Sequence, residues 1–303
     1  MANVIVGIHG LANKPQPAVL ADWWEASIKE GLKKNCGVED AEFDFVMVHW
    51  AGFLYKNLQH DDANFDFDPL YINQPYIPAE PDALKKYNAG LKDRIRAWAT
   101  DIAGFIIDRI RRPLRLKKVE DLLLQDKARD LAYYYDDNRE LTDRDGKRRS
   151  AKSILMGELM DTLVPRRGDR LMLIAHSMGS IIAYDVLRAL GRSDPEFTVE
   201  QFVTIGSPLG LEPVKARAHI EGIASEVPRV VSEKWVNYAD PADVVAVETN
   251  LRGDFGPNGR GVQVEDHLVS TDYVALDRER KTHKSYGYLR TPELSEQIRD
   301  FLL

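Results

Sequence analysis

Three features predict an α/β protein with a mostly parallel central sheet flanked by helices and a large helical cap insertion. A short β-branched run stands near the start, at Asn3 to Ile8. From Arg170 onward, strand-like apolar runs alternate regularly with helix-like ones. At Leu171 to Gly179 a strand runs straight into a sharp turn and then a helical pattern, the way buried parallel strands feed crossover helices.

Asn3 to Ile8 ends at His9 and Gly10, as a buried parallel strand stopped by a turn. After Pro17, Leu20, Trp24, Ile28 and Leu32 recur every four residues, which predicts an amphipathic helix lying on the sheet. Phe43 to Trp50 reads as the second strand, and the next clear one, Arg170 to Ala175, comes more than a hundred residues later. The interval predicts an insertion over 53–149 between core segments 1–52 and 150–303, and 303 residues suit one such core with an insertion.

Within the insertion, Asp61 to Pro81 is rich in Asp, Asn and Pro and reads as irregular. Helical stretches are expected at about Asp82 to Arg112 and Val119 to Tyr135, then a polar loop from Thr142 to Arg149 and a helix from Ser153 to Leu163. Beyond the strand at Arg170, a helix over Met178 to Leu190, a strand Gln201 to Ile205, a helix near Val214 to Ile223 and a strand Lys234 to Ala239 form a βαβαβ series. Alternation at Val262 to Val269 and a closing helix from Thr291 to Leu303 complete the pattern.

Composition narrows the function classes. Hydrophobic residues make up 44% and charged residues 29%, ordinary for a globular chain. With 41 basic against 48 acidic residues the net charge is -7, which disfavours nonspecific attraction to nucleic acid and favours a small-molecule substrate. The single cysteine, Cys36, requires no oxidising compartment. The first residues lack the basic leader and cleavage site of a signal peptide, and no run approaches the roughly 18 apolar residues of a membrane span, so a cytoplasmic protein is expected.

The chemistry is expected at Ala175-His176-Ser177-Met178-Gly179. Small residues at both ends of this turn let strand and helix approach while the serine hydroxyl is raised above the sheet, a nucleophile elbow. The helix directs its dipole and free N–H groups at Ser177. The rival reading is that Ser177 merely caps the helix. The backbone N–H groups of Leu11, after the first strand, and Met178 are the candidate oxyanion donors, with His9 bracing the loop.

A serine hydroxyl needs an imidazole base and a carboxylate to orient that base. In the order serine, acid, histidine, His283 is preferred because it sits in a polar loop before the closing helix. His267, inside an alternating strand pattern, is the alternative. Both Asp240 and Asp243 follow the strand ending at Ala239; Asp243, followed by two valines deeper in the loop, is the preferred acid, and Asp240, which can simply start the Asp-Pro turn, is the alternative.

With His9-Gly10-Leu11, Ala175-His176-Ser177-Met178-Gly179, Gly206-Ser207-Pro208, Asp243-Val244-Val245 and His283 in this order, the chain resembles the α/β-hydrolase superfamily, especially its lipase and esterase branch. The resemblance covers roughly 1–52 and 150–303. It implies a sheet lacking the first two strands of larger members; the ordered Ser177, Asp243 and His283 with the two oxyanion donors point to ester hydrolysis through an acyl-serine, which requires no metal or organic cofactor. The resemblance leaves open thioester hydrolysis, acyl transfer or lipid deacylation at a membrane surface, or a non-catalytic binding role, because fold alone does not choose among them.

Other features carry less. Asp62, Asn64 and Asp66 have calcium-loop spacing, but Phe67 takes the required glycine position, so a solvated acidic loop is expected. The basic stretch Phe105 to Lys118 reads either as the outer face of a cap helix or as a weak membrane-surface contact. Tyr133 to Tyr135 reads as packing, and Gly253 to Gly261 as a surface loop.

Overall fold

Alternation along the first strand decides how the sheet is covered. In β1 (Asn3–Ile8), Val4, Val6 and Ile8 enter one apolar cluster while Ile5 enters the other, so both faces must be covered by other elements. The computed structural model describes residues 2–61, 68, 70–80, 129–212, 214–215, 225–246 and 248–303. After β1 come α1 (Pro17–Cys36), β2 (Asp44–Val48) and the single turn α2 (Ala51–Leu54). Then follow α3 (Arg129–Tyr135), the strands β3 (Glu140–Thr142) and β4 (Arg148–Ser150), and α4 (Ala151–Leu163). The remainder comprises β5 (Arg170–His176), α5 (Met178–Ser193), β6 (Val199–Ile205), β7 (Val231–Ala239), β8 (Val264–Leu268), α6 (Ser285–Leu289) and α7 (Pro292–Leu302).

Six strands form one sheet in the order β2-β1-β5-β6-β7-β8, and every neighbouring pair is parallel. Leu171, Leu173 and Ala175 of β5 face the cluster that holds Ile181, Ile182 and Tyr184 of α5 and Leu155 and Leu159 of α4. Met172 and Ile174 face the opposite cluster, with Trp24 and Ile28 of α1 and Leu294, Ile298 and Phe301 of α7. The predicted α/β class is therefore the observed one, a parallel sheet with helices on both faces.

Leu20, Trp24, Ile28 and Leu32 are the buried stripe of α1 as their spacing predicts, and the helix stops at Gly37 in the left-handed region. Ser150 caps α4 by accepting from the Ser153 N–H at 3.2 Å, so this helix starts two residues earlier than expected. The polar stretch 142–149 is the turn of a hairpin, not a plain loop. Asp143 Oδ1 accepts from the N–H groups of Asp145 and Lys147, and this local turn joins the short ladder of β3 and β4. Of the two helices expected in the insertion only the last turns, in α3, fall on described residues; most of the helix expected near Val214 to Ile223 lies outside them. The calcium-spaced residues 62–66 and the basic stretch 105–118 also lie outside the described residues. No helix among the described residues is long and apolar enough to cross a membrane.

Topology places the site. The chain runs from β1 out to β2 and then returns past β1 to β5, so the direction of winding reverses between β1 and β5. In open parallel sheets such a reversal leaves a crevice at the carboxyl ends of the two strands. Register brings those ends level, with Ile8 opposite Ala175. The segments that follow, His9 to Ala12 and Ser177 to Gly179, therefore lie side by side.

That approach needs a glycine at 179. A Cβ there would stand 2.6 Å from the carbonyl oxygen of His9 and 2.7 Å from that of Ile8. Gly179→Ala should lose about 1–3 kcal/mol of stability, measured by urea denaturation; an unchanged midpoint would mean that the two segments are not packed this closely.

Candidate active site

Ser177 takes a backbone conformation that few residues with a side chain adopt, φ 53° and ψ −129°. Parallel β5 must turn sharply into α5 at this point. The Ser177 N–H donates to Ile205 O at 3.1 Å, which ties the turn to the end of β6. Although Ser177 stands at the helix N-cap position, its side chain makes no capping hydrogen bond. Its Oγ lies instead 2.9 Å from His283 Nε2.

His283 Nδ1 lies 2.8 Å from Asp243 Oδ2. Because Asp243 must accept, Nδ1 carries the proton, and Nε2 is left to accept from the Ser177 hydroxyl. Asp243 Oδ1 accepts from the Val245 N–H at 2.9 Å, and Oδ2 accepts a second bond from the Tyr288 hydroxyl at 2.7 Å. Burial is the largest influence on Asp243 and pushes its carboxyl up. The hydrogen bond and charge of His283, with the bonds from Val245 and Tyr288, outweigh it and hold the group below the usual carboxylate range. Burial, then the neighbouring Asp243, raise Tyr288 well above an ordinary phenol, so it remains a donor. Gly206, with φ 55°, leaves room for this cluster: a Cβ there would stand 3.0 Å from Asp243 Oδ2 and 3.2 Å from His283 Nδ1.

The alternatives for acid and base lie elsewhere. Asp240 accepts from Arg280 at 2.5 Å and from the N–H and hydroxyl of Thr271, and so fastens the segment after β8. His267 lies on the edge strand β8, its ring tilted 5.5 Å from that of Tyr238, with 46% of its side chain exposed. Thus the structure brings Ser177, His283 and Asp243 into one hydrogen-bonded series and leaves Asp240 and His267 out of it.

The loop after β1 abuts the elbow. A Cβ at Gly10 would stand 2.6 Å from Ser177 Cβ. The His9 ring is buried and stacked on Trp50, with centroids 4.6 Å apart. Its Nδ1–H donates to Gly10 O at 2.8 Å, and its Nε2 accepts from the Trp50 N–H at 3.2 Å. The Trp50 indole N–H donates to His9 O at 3.0 Å. Gly10 O belongs to the same peptide unit as the Leu11 N–H, so His9 sets the direction of that N–H. Met178 opens α5, where an N–H has no partner within the helix. Leu11 thus follows the glycine packed on Ser177, and Met178 follows Ser177 directly in the chain.

Ser177 is only 1% exposed, so the hydroxyl that the sequence predicts to be raised above the sheet is covered. Gly10 packs against its Cβ and His283 Nε2 lies on its Oγ. His283 keeps 30% of its side chain exposed and forms the open side of the cluster.

His176 has a role that sequence reasoning missed. Its Nε2–H donates to the backbone carbonyl of His283 at 2.8 Å, with the two rings 4.8 Å apart. Burial, and then the charge that His283 would carry, push its pKa well below the usual value. Burial, Lys14 and His49 do the same for His9. Burial, then the charge of Lys284, bring Lys14 down to about 7, with Asp130 acting the other way; burial brings Lys284 to about 8.

Chemically, the series can pass a proton from hydroxyl to imidazole while the carboxylate orients the ring. Among the described residues, no group of three or more His, Cys, Asp or Glu side chains could hold a metal ion. An open cavity of about 430 Å³ lined by Gln16, Tyr55, His60 and Leu70 among others includes none of Ser177, His283 or Asp243. Tyr288 was missed with His176, because nothing in a strand or helix pattern marks which tyrosine reaches a carboxylate. Comparison with models of known protein families, with curated proteins and with solved structures found no match in any of the three.

The buried histidines give a pH dependence with a definite sign. Folding keeps His9 and His176 neutral, whereas the unfolded chain protonates both below about pH 6.5. The unfolded state then binds more protons, so stability falls with pH below about 6.5, by up to roughly 1.4 kcal/mol per pH unit for each ring. Urea denaturation between about pH 7.5 and about pH 5.5 should show this loss, and His176→Asn should lessen it. An equal loss in the variant would mean that His176 titrates normally in the fold.

Proposed function

We propose that this chain is a serine hydrolase of the α/β-hydrolase type that cleaves carboxylic esters through an acyl-serine intermediate. The observation that carries the reading is the Ser177 hydroxyl: it leaves its own helix end uncapped and lies 2.9 Å from His283 Nε2, whose far side meets Asp243. A purely structural serine at a helix start would accept from that helix.

In this reading His283 Nε2 takes the Ser177 proton as Oγ attacks the ester carbonyl. The N–H groups of Leu11 and Met178 hold the oxygen that becomes negative, each donor contributing about 2.7–4 kcal/mol. The tetrahedral intermediate collapses, the C–O bond breaks, and His283 returns the proton to the leaving alcohol. Water, deprotonated by the same ring, then attacks the acyl-serine; the bond from the acyl carbon to Ser177 Oγ breaks, His283 returns the proton to Oγ, and the acid leaves. The chemistry calls on no metal or organic cofactor. The substrate is a small ester or lipid, and the single cysteine suits action in the cytoplasm.

The covered Ser177 defines how substrate must enter. With His283 as the open side, the carbonyl approaches past the imidazole edge. Ser177→Ala should lower turnover of short p-nitrophenyl esters by about four to six orders of magnitude and abolish labelling by a fluorophosphonate probe. Labelling that persists in this variant would contradict the assignment.

A further inference from the structure

The loop that carries the Leu11 N–H is held in an unusual shape from far away in the sequence. Ala12 has φ 71°, a left-handed conformation that residues with a Cβ rarely adopt. Its N–H donates to Asp130 Oδ2 at 2.8 Å, across 118 residues. Asp130 lies in α3, is 1% exposed, and also accepts from the Tyr55 hydroxyl, whose oxygen is 2.9 Å from Oδ1 and 3.0 Å from Oδ2. Arg129 Nε stands 3.7 Å from Oδ1, and its guanidinium lies over the Tyr55 ring at 4.7 Å.

The peptide between Leu11 and Ala12 is fastened at both ends. Its N–H is held by Asp130, and its carbonyl, that of Leu11, accepts from Lys14 Nζ. The preceding peptide is fastened at Gly10 O by His9. Peptide units are planar, so fixing these groups fixes both planes around Leu11 and with them the direction of its N–H.

We propose that Asp130 is a positioning residue for the oxyanion donor at Leu11, locking the strained turn at Ala12 so that this N–H faces Ser177. The proposal rests on the reading of Ser177 as the acylated residue. It gives the segment inserted between β2 and β5 a direct part in the reaction: its Asp130 sets an element of the core that carries no strain-relieving glycine at position 12. A carboxyl that served only to seat α3 would have no need to bind the one N–H next to the donor.

The test compares wild type, Asp130→Asn, Asp130→Ala and Tyr55→Phe in ester turnover and in affinity for an alkyl boronic acid. The boronate adduct on Ser177 places a negative oxygen where the oxyanion forms. Asp130→Ala should lower kcat by about 10- to 100-fold with KM within about threefold, and weaken the boronic acid by the same factor as kcat/KM. Asp130→Asn keeps one acceptor oxygen for Ala12 and should lie between. A purely structural role would reduce thermal stability and leave kcat per folded molecule and boronate affinity alone, which would overturn the proposal.

Should Asp130→Ala not fold, Asp130→Asn and Tyr55→Phe carry the test, each lowering kcat and boronate affinity together by at least about threefold. Unchanged values in both would overturn it. A wild-type protein inert to esters and to the fluorophosphonate probe would instead remove the reading of Ser177 beneath it, and the proposal with it.

Discussion

The constraint on which the site depends is the turn at Ser177. A parallel strand passes into a helix within one residue here, and the backbone does so at a positive φ of 53°. The turn also has to sit directly against the loop after β1, which is why Gly10 and Gly179 face it without side chains. Level strand ends, set by the pairing of Ile8 with Ala175, make the contact possible. The strain at Ser177 costs stability on the order of 1–3 kcal/mol, offset by two apolar clusters that bury both faces of the sheet.

Around that turn the polar groups form a closed set. Asp243 accepts from His283, Tyr288 and Val245; His176 holds the backbone of His283; His9 holds Gly10 and Trp50. The Asp243 carboxylate, the Tyr288 hydroxyl and the rings of His9 and His176 each have a hydrogen-bond partner, and neutral imidazoles are placed where a charge would be expensive. The result is a single hydroxyl aimed at a single imidazole, with the backbone on both sides fixed by side chains that come from distant parts of the chain. Rigidity of this kind is what a site needs if its donors are to meet a developing charge without reorganising.

Much of the core was legible in the sequence. The four-residue spacing of Leu20, Trp24, Ile28 and Leu32, the short apolar strands, and the strand-to-helix run through Ser177 each carry a local signal that packing did not override. The proximity of Ser177, His283 and Asp243 followed from chain order and from the carboxyl ends of parallel strands, and Asp240 was separated from Asp243 only by the third dimension, where Arg280 and Thr271 claim it. Other features had no local signal. The hairpin at 140–150 has strands of three residues, too short for alternation to register. The contacts of His176, Tyr288 and Asp130 span 107, 45 and 118 residues, and no periodicity encodes those. The burial of Ser177 likewise reflects the seating of loops rather than the composition of the turn.

The central claim is that Asp243, His283 and Ser177 form one continuous hydrogen-bonded series in which the proton on His283 rests at Nδ1. Proton NMR in water tests it most directly, through the Nδ1–H resonance of His283. The account predicts a strongly downfield, exchange-protected signal that vanishes in His283→Gln and in Asp243→Asn and persists in Asp240→Asn. A signal unaffected by the change at Asp243, or lost with Asp240 alone, would contradict it.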